Sequence, residues 1–562
     1  MDYKTIIMSA IDGGNLSKDE IYSALMPTQN EKNGEMCLPC FKFSAKLRKP
    51  PQQIASQLQQ SLKENAFIKK TAVAGGYLNF YFDRAAVAKE VMGGLRDKDY
   101  ALPPLESNGK TVCIDYSSIN IAKPFHIGHL LTTAIGGSLY RISKFCGYNA
   151  VGINHLGDWG TQFGKLIVAY KKWGDDEDIK KRNIRALLDL YVRFHKEAET
   201  HPELEDEGRH WFKKIEEGDK EALAIFESFK QITLREVQKV YDRLGITFDS
   251  YAGESFYNDK MQPVIDTLKS KNLLKMSEGA EVVDLEEYGM PPCLILKKDG
   301  TTLYATRDLA AAIYRKKTYD FYKNLYVVAY QQNLHFRQVF KVLELMGYEW
   351  AKDCVHVPFG MVSLEGAGSL STRKGNVVFL SDVLDSAVEK AREIIDAKNP
   401  DLPEKDKTAS DVGVGAVIFG ALSGSRIKDI SFSLEKALSF DGETGPYLQY
   451  THARCCSILD KAGEVKGYVD FSVLEQDEAF ALVRLTDEFY HTVLLALEKY
   501  EPSIISRYLI DVAQAFNKFY VNNRILGESD NVTFTRLMLV RAVESVLKTG
   551  LNLILLNAPE KM

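Results

Sequence analysis

The stretch IAKPFHIGHLL, residues 121–131, joins a β-branched run to a helical one. Upstream lies TVCIDYSS (111–118), with strand composition. Downstream lies HLLTTAIGGSLYRISKF (129–145), in which Leu130, Ala134, Leu139, Ile142 and Phe145 recur at roughly helical spacing. An apolar segment, NAVGINHLGDWG (149–160), follows, then a charged, helix-rich stretch predicted over about 165–290. Short strands are expected to return near CLILKKDG (293–300), and KNLYVVAYQQNLHF (323–336) reads as a buried strand leading into a helix. Strands alternating with helices predict a parallel sheet wrapped by helices.

Outward from this core, residues 1–105 read as a small mixed domain. It has a basic cluster in FKFSAKLRKPP (41–51) and an aromatic strand in GGYLNFYF (75–82). LPPLESNGK (102–110) has the composition of a linker. Beyond about 380 strand signals thin out. Leu482, Leu485, Phe489 and Val493, then Ile505, Leu509, Val512 and Phe516 after Pro502, are spaced as in a helical bundle. The expected fold is α/β: a Rossmann-like parallel-sheet catalytic domain (106–380) with a helical insertion (165–290), a small N-terminal α+β domain (1–105) and an all-α C-terminal part (381–562).

The chain has 562 residues, enough for three or four domains of about 100–200 residues. A net charge of −5 decides nothing about nucleic acid, which depends on where basic residues lie. The eight cysteines include one CxxC (Cys37, Cys40) with no second ligand pair, so buried thiols in a reducing compartment are expected, not zinc. MDYKTIIMSAIDGG lacks a signal peptide's pattern. GVGAVIFGALSGS falls short of the ~20 apolar residues that span a bilayer. A cytoplasmic protein is expected.

His126 and His129 do not fit a helical zinc site, which spaces histidines four apart with a glutamate between. Their place at a strand-to-helix junction suits an anion, because free N–H groups and the helix dipole favour negative charge there. Gly128 allows close approach of a base or ribose, and Lys123 adds a fixed cation. The site is neither a Walker loop nor GxGxxG.

PFHIGH resembles the HIGH signature of class I aminoacyl-tRNA synthetases. SSINIAKPFHIGHL and LGDWGTQFG resemble the arginyl-tRNA synthetase family in particular, as do TTLYATRDLAAA, QQNLHF, LSTRKGNVV, GPYLQYTHAR and the final APEKM. This resemblance implies ATP-dependent activation of L-arginine, then transfer to tRNA(Arg). Magnesium would arrive with ATP and no metal would be bound by the protein alone. The family is commonly monomeric. It also implies roles. Lys123, His126, Gly128 and His129 would meet ATP, with Ser371, Arg373 and Lys374 from the stretch matching the KMSKS signature. Both signature lysines are replaced there, and Lys123 takes the place of a lysine thought to compensate in the family.

A pocket for a planar, five-donor guanidinium should offer carboxylates in fork geometry. Asp115 and Asp308 match the family's two acidic positions, with Tyr304 one helical turn before Asp308. The family position of Asp115 is often glutamate, and an ion pair with a neighbour such as Arg307 is the competing reading of both acids. Ser118, Asn120, His126 and Gln332, with Gln331 as an adjacent rival, match positions that hold the α-amino and carboxylate groups. For tRNA, Tyr447, Tyr450 and Arg454 share one predicted helix face, and Tyr520 joins them as a stacking candidate. Phe516 is expected in the core. Met562 matches a residue near the anticodon stem-loop, and Tyr77 and Asn79 are candidate contacts to the tRNA elbow.

Overall fold

The computed structural model describes residues 1–28, 30–93, 102–298, 302, 304–365 and 378–562. Ser371, Arg373 and Lys374 lie outside the described residues. Two compact units are formed.

One unit comprises Met1–Leu102, Arg454–His491 and Asp511–Leu547, so it joins the N-terminal segment to stretches from the last quarter of the sequence. Strands β1 (Met26–Pro27), β2 (Met36–Pro39), β3 (Ile68–Ala74) and β4 (Tyr77–Phe82) make an antiparallel sheet in the order β1-β2-β4-β3. Gly75 and Gly76, at φ 58° and 96°, form the two-residue turn between β3 and β4, a conformation that matches the twist of a hairpin. Arg84 carries this sheet onto the helical part of the same unit. Its guanidinium bonds Glu35 at 2.9 Å, Asp477 at 2.6 Å and the Glu475 carbonyl at 2.8 Å, and lies 4.9 Å over the Phe480 ring. The predicted bundle helices are present as Asp477–Lys499 and Ser503–Asn522, followed by Asp530–Leu553, and each is divided between the two units. Leu482, Phe489, Val493, Ile505, Leu509, Val512 and Phe516 are buried, and Leu485 is half-buried.

The other unit comprises Pro103–Ala453, Thr492–Ile510 and Lys548–Met562. Its centre is a parallel sheet of β5 (Thr111–Asp115), β6 (Asn149–Ile153), β10 (Lys323–Ala329) and β11 (Cys354–Phe359), ordered β11-β10-β5-β6. Helix α1 (Leu130–Phe145) links β5 to β6, and Asn333–Leu345 links β10 to β11. The two crossovers leave the adjacent pair β5 and β10 in opposite directions. That switch opens a crevice at the C-terminal ends of these strands, where ligands bind in open α/β sheets. Cys113, Val151, Ile153, Phe321, Tyr326, Phe336 and Cys354 fill the core on one face of the sheet.

The expected helical insertion is only partly helical. Helices run from Thr161–Trp173 to Met261–Ser270, but β7 (Leu274–Ser277), β8 (Ala280–Val283) and β9 (Cys293–Leu296) then form an antiparallel sheet, so strands begin before 290. Its first turn is Glu278-Gly279, both at positive φ (49° and 86°), which is hairpin geometry made without the usual Asn-Gly or Asp-Gly signal. A short parallel pair, β12 (Val362–Leu364) with β13 (Ile430–Phe432), also places a strand beyond 380. Among the described residues no helix is long and apolar enough to cross a membrane.

Candidate active site

The two histidines cap their own turn. His126 Nδ1 accepts from the Gly128 N–H at 3.0 Å, and His129 Nδ1 accepts from the His126 N–H at 3.2 Å. Their rings lie 3.9 Å apart at the start of the 3₁₀ turn Ile127–His129 that feeds α1. A neutral imidazole that accepts at Nδ1 carries its proton on Nε2, so each ring presents one Nε2–H donor. Burial, with the positive charge of Lys123, pushes His126 down to about 4. Burial, then His126 and Lys123, push His129 down to about 3. Both are therefore neutral donors near pH 7. Gly128 has a reason beyond ligand approach: a Cβ there would sit 2.8 Å from His126 Cε1 and 2.9 Å from Nδ1.

The loop between β5 and this turn is strained. Ser117, Ser118 and Ala122 adopt φ of 67°, 45° and 60°, each worth about 1–3 kcal/mol for residues with a side chain. Neighbouring elements hold it there. The Ser117 N–H donates to Thr132 Oγ1 at 3.0 Å, Ser117 Oγ meets Tyr241 Oη at 2.8 Å, and the Ala122 N–H donates to Thr233 Oγ1 at 2.9 Å. Thr233 and Tyr241 belong to the insertion helix Lys220–Leu244. Asn120 bridges to Gly157, where a Cβ would collide with its Oδ1, so the 117–130 and 156–164 motifs are zipped together.

Asp115 ends β5 and is buried. Its Oδ2 accepts from Arg315 at 2.7 Å, and its Oδ1 accepts from Ser118 Oγ at 2.7 Å. The ion pair weighed for the acids does exist, but its cation is Arg315, fully buried two turns beyond Asp308, and not Arg307. Tyr304 and Asp308 do lie on one helix, α2 (Tyr304–Tyr319). His335 Nε2 lies 2.5 Å from Asp308 Oδ2. Burial alone would raise Asp308, but the His335 bond, aided by His155 and Arg315, holds it below the usual carboxylate range.

A cleft of about 520 Å³ brings Asn120, Lys123 and Tyr304 together with Trp159, Gln162, Lys165, Tyr191, His195 and Glu254. Glu254 was not anticipated. It follows Gly253 and opens the 3₁₀ helix Glu254–Lys260, whose start is pinned by buried Asp158, which accepts from the Ser255 N–H at 2.8 Å and Ser255 Oγ at 2.7 Å and pairs with Lys230 at 2.9 Å. Burial, against Arg307 and reinforced by Asp308 and Asp158, pushes Glu254 up to about 7. No motif or periodicity in the sequence marked it. Gln331 and Gln332 are both exposed at the turn between β10 and the helix Asn333–Leu345, and exposure does not separate them.

The remaining candidates are more dispersed. Tyr447 and Tyr450 lie on the helix Gly445–Ala462, Tyr447 half-buried and Tyr450 exposed. Arg454, on the same helix, bonds Asn517 and lies 5.1 Å beneath the ring of exposed Tyr520. Met562 packs against the cluster of Ala391, Ile395, Leu402 and Val412, and its carbonyl accepts from Asn399. Tyr77 is exposed and edge-on to Phe41 at 5.3 Å, whereas Asn79 is almost wholly buried in the central strand of its sheet.

Residues 95–434 match the family of class I tRNA synthetase (R) catalytic domains, 448–562 the DALR anticodon binding domain and 1–82 the arginyl tRNA synthetase N-terminal domain. The chain belongs to the arginyl-tRNA synthetase family. It is 53% identical to an arginine–tRNA ligase of Clostridioides difficile and 51% identical to one of Halothermothrix orenii, each over the full length of both chains. The solved arginyl-tRNA synthetase of Thermus thermophilus is 27% identical, with a TM-score of 0.78 over 96% of both chains. The synthetase thus has the class I catalytic fold with the family's N-terminal and C-terminal domains, and it is an aminoacyl-tRNA ligase.

Proposed function

We propose that this synthetase joins L-arginine to tRNA(Arg) through the residues assembled at the β5–β10 crevice. The arginine carboxylate attacks the α-phosphorus of ATP, forming the carboxyl–phosphate bond of arginyl-adenylate as the bond to pyrophosphate breaks. The terminal ribose hydroxyl of tRNA then attacks the carbonyl and AMP leaves. His126 and His129 donate Nε2–H bonds to ATP oxygens, and Gly128 leaves room beside them. Lys123, with Arg373 and Lys374, balances the charge that builds on the phosphates. Ser371 joins that signature segment. Magnesium, bound with ATP, supplies further neutralisation. Orientation of reactants alone can contribute ~7–11 kcal/mol.

In this reading Asp308, Tyr304 and Asp115 receive the guanidinium, while Ser118, Asn120, His126 and Gln332 or Gln331 hold the α-amino and carboxylate groups. The parts 1–105, 106–380 and 381–562 serve the tRNA elbow, catalysis and the anticodon respectively. Tyr77, Tyr447, Tyr450, Arg454 and Tyr520 are the leading RNA contacts. Asn79 and Met562 are further candidate RNA contacts, although Asn79 is almost wholly buried. The protein works as a cytoplasmic monomer. The observation that carries the reading is the pair of neutral, self-capped imidazoles a few residues after Lys123, which itself lines the 520 Å³ cleft. ATP–pyrophosphate exchange with arginine, with and without tRNA, tests it. Exchange only with another amino acid, or none under either condition, would overturn it.

A further inference from the structure

QQNLHF supplies a second site residue that the reading above leaves unused. His335 stands on the first turn of the helix Asn333–Leu345 and meets Asp308 on α2. The adjoining Phe336 is buried against Tyr326 and stacks on His356 at 4.6 Å, so the turn that carries the imidazole is anchored to the sheet. An ionised carboxylate only accepts, so Nε2 of His335 carries the proton in the 2.5 Å contact. Asp308 Oδ2 is thereby held, and among the described residues His335 is the one side chain that bonds this carboxyl. Asp115, by contrast, has one bond on each oxygen, from Ser118 and Arg315. Asp308 is thus the acid with an oxygen left over for a forked cation, and a planar guanidinium rewards a carboxylate whose plane is fixed.

We infer that His335 is a positioning residue for arginine recognition, acting by orienting the Asp308 carboxylate so that its Oδ1 meets the guanidinium. This rests on the reading of Asp308 as a guanidinium acceptor.

Steady-state aminoacylation by the full chain, with tRNA(Arg), tests both and separates them. His335→Ala is expected to raise the arginine KM about tenfold or more, the scale of a hydrogen bond to a charged group. The KM values for ATP and tRNA should stay within about twofold and kcat within about threefold. His335→Gln, whose amide can donate to the same oxygen, should restore most of the arginine KM. In an Asp308→Asn background, His335→Ala should add nothing further. If His335→Ala does not fold, His335→Phe, a ring without a donor, replaces it. An unchanged arginine KM in the His335 variants, beside a raised one in Asp308→Asn, overturns the inference alone. Equal rises for ATP and arginine, or an effect that adds to Asp308→Asn, also overturn it by marking a merely structural role. An unchanged arginine KM in Asp308→Asn overturns the guanidinium reading itself.

Discussion

At the scale of the residue, the site depends on protonation states that burial sets. His126 and His129 remain neutral because each ring's Nδ1 is occupied by a backbone N–H and each is half-buried near Lys123. Gly128→Ala should turn the His126 ring off its backbone partner. We expect the exchange rate to fall at least about tenfold with little change in unfolding temperature, as a change limited to transition-state contacts would give. Lys123→Ala should cripple adenylation while tRNA affinity, measured by filter binding, stays nearly intact. Normal adenylation in that variant would remove Lys123 from the mechanism. Glu254 titrates in the opposite sense. Its folded value, about 7, lies above its ordinary 4.5, so the native state binds the proton more tightly and native stability falls as pH rises between those values. Glu254→Gln should therefore gain unfolding temperature over the parent at pH 8 more than at pH 5, read by calorimetry.

At the scale of the element, the 117–122 loop is held in positive-φ conformations by a helix more than a hundred residues away. Tyr241→Phe removes the hydroxyl that meets both Ser117 and Asn154. We expect a loss of about 1–2 kcal/mol in urea unfolding and a larger proportional loss of adenylation, since the freed loop carries Asn120 and Lys123. Strand β5, helix α1, β6 and β10 were legible because their apolar periodicity is strong and unbroken. The β7–β8 hairpin was not. Its Glu278-Gly279 turn and half-exposed strands carry no apolar alternation that separates them from the preceding charged helices.

At the scale of the molecule, buried charge organises what the elements alone do not. Arg315 and Asp115 pair inside the catalytic unit with almost no exposure. Arg315→Met should cost about 3–5 kcal/mol, because it strands a buried carboxylate, and adding Asp115→Asn should recover part of that loss. Chemical denaturation of the single and double variants would measure both. In the other unit, Arg84 holds the N-terminal sheet to helices that follow Glu475, a union that no linker or composition shift in the sequence announced.

The amino-acid sequence by itself determined the class of fold and the order of its motifs, because a strand, a glycine-bearing turn and an amphipathic helix are local patterns read within a few residues. It also determined which residue types cluster at the turn between β5 and α1. Only the tertiary structure decided that Arg315, 200 residues away, neutralises Asp115, that His335 holds Asp308, and that Glu254 enters the cleft. A buried charge takes whichever partner the packed elements bring within hydrogen-bonding distance, and that choice leaves no periodicity along the chain.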